Sequence, residues 1–149
     1  MVKEIKIIFD EMAKRQIMLE CDNVFATPVC TSGLGDQLME KICNNAIFIV
    51  ANYNEEVAGY CAMYVNNLYL MQAYITMIAV KKQYQKRGIG QELLDTAIDL
   101  ATRKQMKSLK LEVDIKNTKA IRFYEKNGFA HTEEKSKSGG IYMIRLLQV

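Results

Sequence analysis

Two glycines and a group of cations near the middle of the chain have the composition of a phosphate-binding loop. Gly88 and Gly90 follow an apolar segment that ends at Val80. Between Val80 and Gly88 lie four cations: Lys81, Lys82, Lys86 and Arg87. A helix that starts near Gly88 would point its first backbone N–H groups and the positive end of its dipole at an anion. Glycines let that anion touch the backbone, so the loop predicts a pyrophosphate site.

The residues after Gly90 exclude two other phosphate-binding loops. A Walker A loop needs a lysine and then a serine or threonine there, whereas this chain has Gln91 and Glu92. A dinucleotide-binding loop needs a third glycine, but Leu93 occupies that position. We therefore expect neither a nucleoside triphosphatase nor a dinucleotide-binding protein.

The cysteines and the histidine do not form a metal-binding pattern. Cys21, Cys30, Cys43 and Cys61 are not spaced as a C-x-x-C motif. We interpret them as small buried hydrophobic residues without disulfides, as is usual in a reducing compartment. His131 has no cysteine or carboxylate at ligand spacing, so we expect it to be structural or exposed. The sequence thus predicts no metal site.

The composition is that of a compact protein. The 149 residues are 50% hydrophobic and 25% charged, which predicts a single domain over residues 1–149. There is no uninterrupted apolar span and no signal-peptide pattern at the N-terminus, so we expect a cytoplasmic protein without membrane association. A net charge of +3 is low for a nucleic-acid-binding protein. The cations around Tyr84 leave a nucleic-acid patch as a minor alternative. The oligomeric state stays open between monomer and homodimer.

Hydrophobic periodicity predicts alternating helices and strands. Ile5, Ile8, Phe9 and Met12 recur at helical spacing, which predicts a first helix from Lys3 to Cys21. The other predicted helices are 36–45, one that begins near Gly88, and one that begins at Asn117 or Thr118. The predicted strands are 46–51, 57–65, 68–80, 109–113, 129–135 and 141–147.

The order strand, helix, strand around the glycine loop predicts a parallel strand pair joined by a right-handed crossover. The end of the first of these strands, 77–80, is apolar throughout, so we expect it to be buried on both faces. In the second strand, Leu109, Leu111 and Val113 alternate with polar residues, which predicts one buried and one polar face. The chain is therefore predicted to have an α/β fold with a mixed sheet.

Two segments together resemble a known enzyme family. Gln85, Gly88 and Gly90 form a Gln-x-x-Gly-x-Gly pattern after Ala79–Val80, and residues 117–129 read NTKAIRFYEKNGF. These segments resemble the two main motifs of the GNAT superfamily of N-acetyltransferases, which use acetyl-CoA. The resemblance covers roughly residues 46–147. It implies a GNAT-like fold with N-terminal helices, flanking helices and a central mixed sheet whose parallel strand pair forms the CoA cleft.

The resemblance also implies how acetyl-CoA binds. The loop 85–90 would hold the pyrophosphate through backbone N–H groups, with Lys86 or Arg87 near the phosphates. The backbone of 78–80 would hold the pantetheine arm and stabilise the oxyanion, and Asn117 would cap its helix or contact the pantetheine. The implied cofactor-binding residues are Ile78, Ala79, Val80, Gln85, Lys86, Arg87, Gly88, Ile89, Gly90, Asn117, Ala120 and Tyr124.

The implied chemistry is direct attack of an amine on the thioester. Tyr124 would be the general acid, because a phenol is suited to protonate a departing thiolate. The alternative is that Tyr124 only completes an apolar helix face. Family members often have a glutamate before the loop, where this chain has Thr76. The base is therefore either Glu112 on the neighbouring strand or a water held by Thr76 and Tyr74.

The sequence defines the acceptor amine less closely than it defines the acetyl-CoA site. We expect one wall of its cleft to be the loop from Asn23 to Gly35, which contains Phe25 and Pro28. No residue set marks a peptide groove, so a small-molecule amine such as an amino sugar or amino acid is preferred over a protein N-terminus or lysine. A non-catalytic acyl-CoA-binding sensor is the other alternative.

Overall fold

The computed structural model describes residues 3–25, 30 and 35–148. Its helices are α1 (Glu11–Cys21), α2 (Gly35–Asn45), α3 (Ile89–Arg103) and α4 (Thr118–Lys126), with short 3-10 turns at Asp22–Val24 and Lys82–Tyr84. Its strands are β1 (Lys3–Ile8), β2 (Ile47–Tyr53), β3 (Glu56–Asn67), β4 (Gln72–Val80), β5 (Ser108–Asp114), β6 (Ala130–Lys135) and β7 (Gly140–Leu146).

The seven strands of the described residues form one mixed sheet in the order β1-β2-β3-β4-β5-β7-β6. Strands β4 and β5 are parallel, whereas the pairs β1/β2, β2/β3, β5/β7 and β6/β7 are antiparallel. The predicted mixed α/β fold with one parallel pair is therefore confirmed. The chain packs as two compact units, which we call unit one (Met1–Met63 and Met77–Ala97) and unit two (Tyr64–Thr76 and Ile98–Val149).

The predicted first helix is wrong over its N-terminal part. Lys3–Ile8 is a strand that pairs antiparallel with β2 along its whole length. Its three isoleucines are β-branched and suit an extended backbone, and the pairing with β2 overrides their helical spacing. Helix α1 starts only at Glu11, because the Asp10 carboxylate accepts a hydrogen bond from the Ala13 N–H at 2.8 Å and caps the helix.

The start of β4 also differs from the prediction. Strand β3 runs on to Asn67, and a turn at 68–71 precedes β4. The Asn67 side-chain oxygen accepts a hydrogen bond from the Leu70 N–H at 3.1 Å, which closes this turn. Met71 then adopts a left-handed conformation with φ 50°. The apolar residues of the turn, which sequence reasoning assigned to a strand, are exposed at its surface: Leu68, Tyr69 and Leu70.

A buried lysine joins α1 and α2 in unit one. Lys14 in α1 is only 8% exposed, and its ammonium donates hydrogen bonds to the carbonyls of Cys43 at 3.2 Å and Ala46 at 3.0 Å. Both carbonyls lie at or just after the end of α2, where helix carbonyls lack intrahelical partners. The same ammonium lies 5.5 Å above the ring of Phe48, which stacks on Tyr60. Lys14 therefore ties α1, the end of α2 and strand β2 together.

A glycine brings β3 close to the end of β4 within unit one. A Cβ at Gly59 would lie 2.5 Å from the Ala79 carbonyl oxygen and 3.1 Å from the Val80 Cα, so no other residue fits there without a shift. The register between β2 and β3 shifts beside this glycine. The carbonyl of the adjacent residue, Ala58, accepts a hydrogen bond from the Lys81 N–H at 2.8 Å. The end of β4 is thereby fixed by backbone contacts.

Strand β5 organises unit two. It pairs with β4 from Ser108 to Leu111 and with β7 along its whole length. Leu109, Leu111 and Val113 are buried, whereas the residues between them are half-buried or exposed. The predicted alternation of a buried and a polar face is confirmed.

The thiols are mostly buried. Cys21, Cys43 and Cys61 are buried, Cys30 is half-buried, and all four are free. Burial raises the pKa of Cys21 to about 11 and that of Cys61 to about 12. The interpretation of Cys43 and Cys61 as small buried residues is confirmed. His131 is exposed on β6.

We expect the free energy of unfolding to fall as the pH rises above the ordinary thiol pKa of 9.0. Below that pH the folded and unfolded chains both hold the thiol protons, so the contribution is fully present. Above it the unfolded chain releases protons that the folded chain keeps up to its raised pKa, which favours unfolding. Each such thiol contributes a slope of about 1.4 kcal/mol per pH unit.

Denaturant unfolding at about pH 8 and about pH 10 measures this slope. A variant with both Cys21→Ala and Cys61→Ala is the matched control and should lose less stability over the same interval. Equal losses in the two proteins would contradict the assignment of the slope to these thiols.

Candidate active site

The glycine loop of unit one reverses the chain between β4 and α3. Gln85 is extended, whereas Lys86 and Gly88 have left-handed backbones with φ 66° and 79°. Helix α3 then begins, and the Glu92 N–H donates to the Gly88 carbonyl at 3.1 Å. The N–H groups of the preceding first turn have no acceptor inside the helix. They are therefore directed outward at the positive end of the α3 dipole, as the sequence predicted.

Gln85 connects this loop back to β4. Its side-chain amide donates a hydrogen bond to the Val80 carbonyl at 3.0 Å, so the strand end and the loop are held as one piece.

The expectation that the end of β4 is buried on both faces is wrong. Only Ala79 is buried, and Met77, Ile78 and Val80 are half-buried. The apolar composition of 77–80 therefore does not indicate a strand that is covered by protein on both sides.

The two glycines of the loop have different physical roles. Glycine is favoured at position 88 by the left-handed backbone and not by a lack of space, because a Cβ there would meet no heavy atom within 4 Å. Gly90 has no positive φ, and a Cβ there would make an ordinary 3.8 Å contact with Val80. Gly90 is therefore not needed for the fold of the loop, and its effect is to keep the surface of the first helical turn open.

The cations of the loop are not equivalent. The Lys81 ammonium lies 3.3 Å from a Glu20 carboxylate oxygen and 3.8 Å from a Glu56 oxygen, and its side chain is 12% exposed. The Arg87 guanidinium lies over two tyrosine rings, 5.4 Å from the centre of Tyr53 and 5.9 Å from that of Tyr84. The two carboxylates offset the charge of Lys81, whereas the charge of Arg87 stays exposed.

Tyr84 is held beside the loop by Glu56. Its hydroxyl donates to the Glu56 carboxylate, and this hydrogen bond raises the pKa of Tyr84. Its ring meets that of Tyr53 at 5.4 Å with a tilt of 53°. The two rings and Glu56 thus place Arg87 against the β2–β3 hairpin. Arg87 nevertheless remains exposed, as does Lys86.

In unit two, the second motif forms α4 and the strand that follows it. The Asn117 side-chain oxygen accepts a hydrogen bond from the Ala120 N–H at 3.1 Å and caps the helix, which is one of its two predicted roles. Tyr124 is buried, and its ring meets Phe123 and Phe129 edge to face at 5.3 and 5.6 Å. Packing therefore fixes the ring of Tyr124.

The polar face of β5 carries Glu112 between two other strands. The register pairs Glu112 with Tyr142 on β7 and Lys110 with Tyr74 on β4, so these four side chains share one face. The Lys110 ammonium lies 4.2 Å above the Tyr142 ring, and the Glu112 carboxylate accepts a hydrogen bond from the Ser138 hydroxyl at 2.9 Å. We call this set of four residues the polar face of unit two.

Tyr74 is the most perturbed acid on this face. Burial first, and then the charges of Glu112, Tyr142 and Tyr64, raise the pKa of Tyr74 to about 12. At neutral pH it therefore keeps its proton and acts as a hydrogen-bonding hydroxyl, not as a base. Sequence reasoning had named Glu112 and Tyr74 but missed Tyr142 and Tyr64. The missing signal is the strand register, which a single sequence does not contain.

The predicted acceptor wall is only partly described. Phe25 is half-buried after the 3-10 turn, and the buried Asp22 carboxylate accepts the Cys30 N–H at 3.0 and 3.1 Å. Pro28 lies outside the described residues. Among the described residues, no three metal-ligating side chains form a group, and no helix is long and apolar enough to span a membrane.

Comparison with known proteins identifies the family of this architecture. Residues 19–129 match the acetyltransferase (GNAT) family. A Bacillus subtilis protein provisionally named a ribosomal protein bS18 alanine N-acetyltransferase is 30% identical over 104 residues, covering 70% of this chain and 66% of that protein. N-alpha-acetyltransferase 30 of Saccharomyces cerevisiae is 33% identical over 69 residues, covering 46% of this chain and 39% of that protein. The matches thus span two-thirds or less of these relatives.

A solved structure shares the fold over nearly the whole chain. The GNAT family acetyltransferase from Elizabethkingia anophelis, with acetyl-CoA bound, superposes with a TM-score of 0.76 and 22% identity. The likeness covers 97% of this chain and 98% of that one. It shows that the two chains have the same fold.

Proposed function

The chain belongs to the GNAT family of acetyltransferases, and on that premise we propose that it transfers the acetyl group of acetyl-CoA to the N-terminal α-amino group of a protein or peptide. The observation that carries the proposal is the polar face of unit two, where the Glu112 carboxylate shares one face of the sheet with Tyr74 and Tyr142, whose side chains carry hydroxyls. Such hydroxyls can donate and accept hydrogen bonds to a peptide backbone. The two curated relatives are named for protein substrates, which favours a peptide over the small-molecule amine that the sequence suggested.

The loop of unit one suits the donor. We propose that the pyrophosphate of acetyl-CoA binds the N–H groups of 88–90, since Gly90 keeps this surface open. Lys86 and Arg87 are both exposed, so either can contact the phosphates, and Arg87 is in addition positioned by its two tyrosines. The half-buried end of β4, residues 78–80, offers its backbone to the pantetheine arm.

The reaction forms one C–N bond and breaks one C–S bond. The neutral amine attacks the thioester carbonyl, and a backbone N–H within 78–80 stabilises the oxyanion. Glu112 accepts the proton that the nitrogen loses, either directly or through a water near the Tyr74 hydroxyl. The thiolate leaves and takes the phenol proton of Tyr124, which solvent then replaces. The products are the acetylated amine and CoA with a free thiol.

We expect Gly90→Ala to weaken CoA binding while stabilising the fold. The methyl group occupies the surface on which the pyrophosphate would lie, whereas alanine is favoured over glycine in a helix by about 1 kcal/mol. Calorimetric titration with CoA and denaturant unfolding measure the two effects. Gly139→Ala, in the β6–β7 turn of unit two with φ 85° and free space around it, is the control and should lower stability without changing CoA affinity. Unchanged CoA affinity in Gly90→Ala would contradict the proposed pyrophosphate site at 88–90.

We expect Tyr124→Phe to lower kcat on the order of 100-fold with little change in the KM for acetyl-CoA, because the ring packing remains and only the proton donor is lost. Initial rates of product formation, measured by mass spectrometry, test this. Tyr69→Phe is the matched control, since Tyr69 is 95% exposed in the β3–β4 turn and should have no effect. An unaffected rate in Tyr124→Phe would remove Tyr124 as the acid.

The acceptor is tested with three sets of amines. Peptides with free N-termini should be acetylated at the α-amine, whereas the same peptides with a blocked N-terminus and a free lysine, and amino sugars, should not. Mass spectrometry locates the added acetyl group. Acetylation of amino sugars or lysine alone would replace the peptide proposal. Tight CoA binding without turnover of any amine would favour an acyl-CoA sensor instead.

A further inference from the structure

The turn between β6 and β7 is built around the Glu112 carboxylate. The Ser138 hydroxyl donates to the Oε2 atom of Glu112 at 2.9 Å. A Cβ at Gly140 would lie 2.9 Å from the same Oε2 and 2.9 Å from the Val113 carbonyl oxygen. Ser138 therefore donates a hydrogen bond to the carboxylate, and Gly140, which has no Cβ, leaves the space in which the carboxylate lies.

Hydrogen bonds within the turn fix the position of Ser138. The Ser136 hydroxyl oxygen accepts from the Gly140 N–H at 2.8 Å and lies 3.3 Å from the Ser138 hydroxyl oxygen. The backbone of Ser136 also exchanges hydrogen bonds with Gly139 and Gly140, at 3.3 and 3.1 Å. Gly139 takes the left-handed φ of 85° that closes the turn. The Ser138 hydroxyl, which donates to Glu112, is thus positioned by the hydrogen bonds of the turn around it.

We propose that Ser138 is a positioning residue, which orients Glu112 for removal of the amine proton. This inference rests on the proposed function, in which Glu112 is the proton acceptor. Glu112 is an exposed side chain with several free torsions, so an unrestrained carboxylate would spend much of its time away from the amine. A charge-assisted bond to Oε2 restricts it, and within the described residues no hydrogen bond engages Oε1. Ser138 binds one oxygen and leaves the other for the amine.

A positioning role and a purely structural role of Ser138 differ in one measurable respect. If Ser138 acts through Glu112, its removal matters only while Glu112 is present. If the hydrogen bond merely supports the turn, its loss has the same effect with or without the carboxylate. Kinetic coupling between the two positions distinguishes these cases.

The experiment is a double-mutant cycle with acetyl-CoA and a peptide that begins with alanine. Ser138→Ala should lower kcat about fivefold with the KM for acetyl-CoA unchanged, and Ser138→Thr, which keeps the hydroxyl, should restore most of the rate. In a Glu112→Gln background, Ser138→Ala should have no further effect. Thr132→Val is the control, because among the described residues the Thr132 hydroxyl exchanges hydrogen bonds with the backbone of Glu134 alone, and its loss should not alter the rate.

The outcomes separate the two proposals. If Glu112→Gln lowers the rate but Ser138→Ala lowers it equally in both backgrounds, the positioning role is overturned and the proposed base stands. If Glu112→Gln has no effect, the base and the positioning role are both overturned. The free energy of unfolding of each variant shows whether a rate loss reflects a smaller folded fraction, and Ser138→Thr gives the second test in that case.

Discussion

The contact between β3 and β4 at Gly59 is the constraint on which the proposed CoA-binding loop depends. Two backbones lie so close there that a Cβ would be 2.5 Å from a carbonyl oxygen. The adjacent residue accepts the Lys81 N–H, and Gln85 binds the Val80 carbonyl, so the strand end and the loop share one anchored backbone. The position of the first turn of α3 follows from this anchor, because α3 begins directly after Gly88. A glycine outside the motif is thus as important to the loop as Gly88 within it.

Local features of the site could be predicted from the sequence, whereas features that depend on strand pairing could not. The loop at 85–90 and the cap at Asn117 arise from neighbouring residues, so their patterns are present in the sequence. The N-terminal strand was predicted as a helix because its partner, β2, lies about 40 residues further along the chain, and such pairings leave no local signal. The position of Tyr142 could not be predicted for the same reason, since only the β5/β7 register places it opposite Glu112.

Charge in unit one is distributed between fixed and free cations. Lys81 lies between two carboxylates, and Arg87 lies on two aromatic rings, so both serve the architecture of the hairpin and loop. Lys14 is buried against carbonyls at the end of α2. A count of basic residues therefore overstates what a phosphate would meet. The exposed cations of the loop are Lys82, Lys86 and Arg87, and Lys86 lies at the turn itself.

The burial of the cysteines has a practical side for work with this protein. Only the thiolate form attacks disulfide reagents and oxidants, and burial raises the pKa of even the half-buried Cys30 to about 12. With Cys21 and Cys61 likewise protonated at neutral pH, the folded chain should react slowly with colorimetric disulfides and peroxide. The free thiol of released CoA would then be seen against a low background, and continuous colour assays become practicable without removing any cysteine.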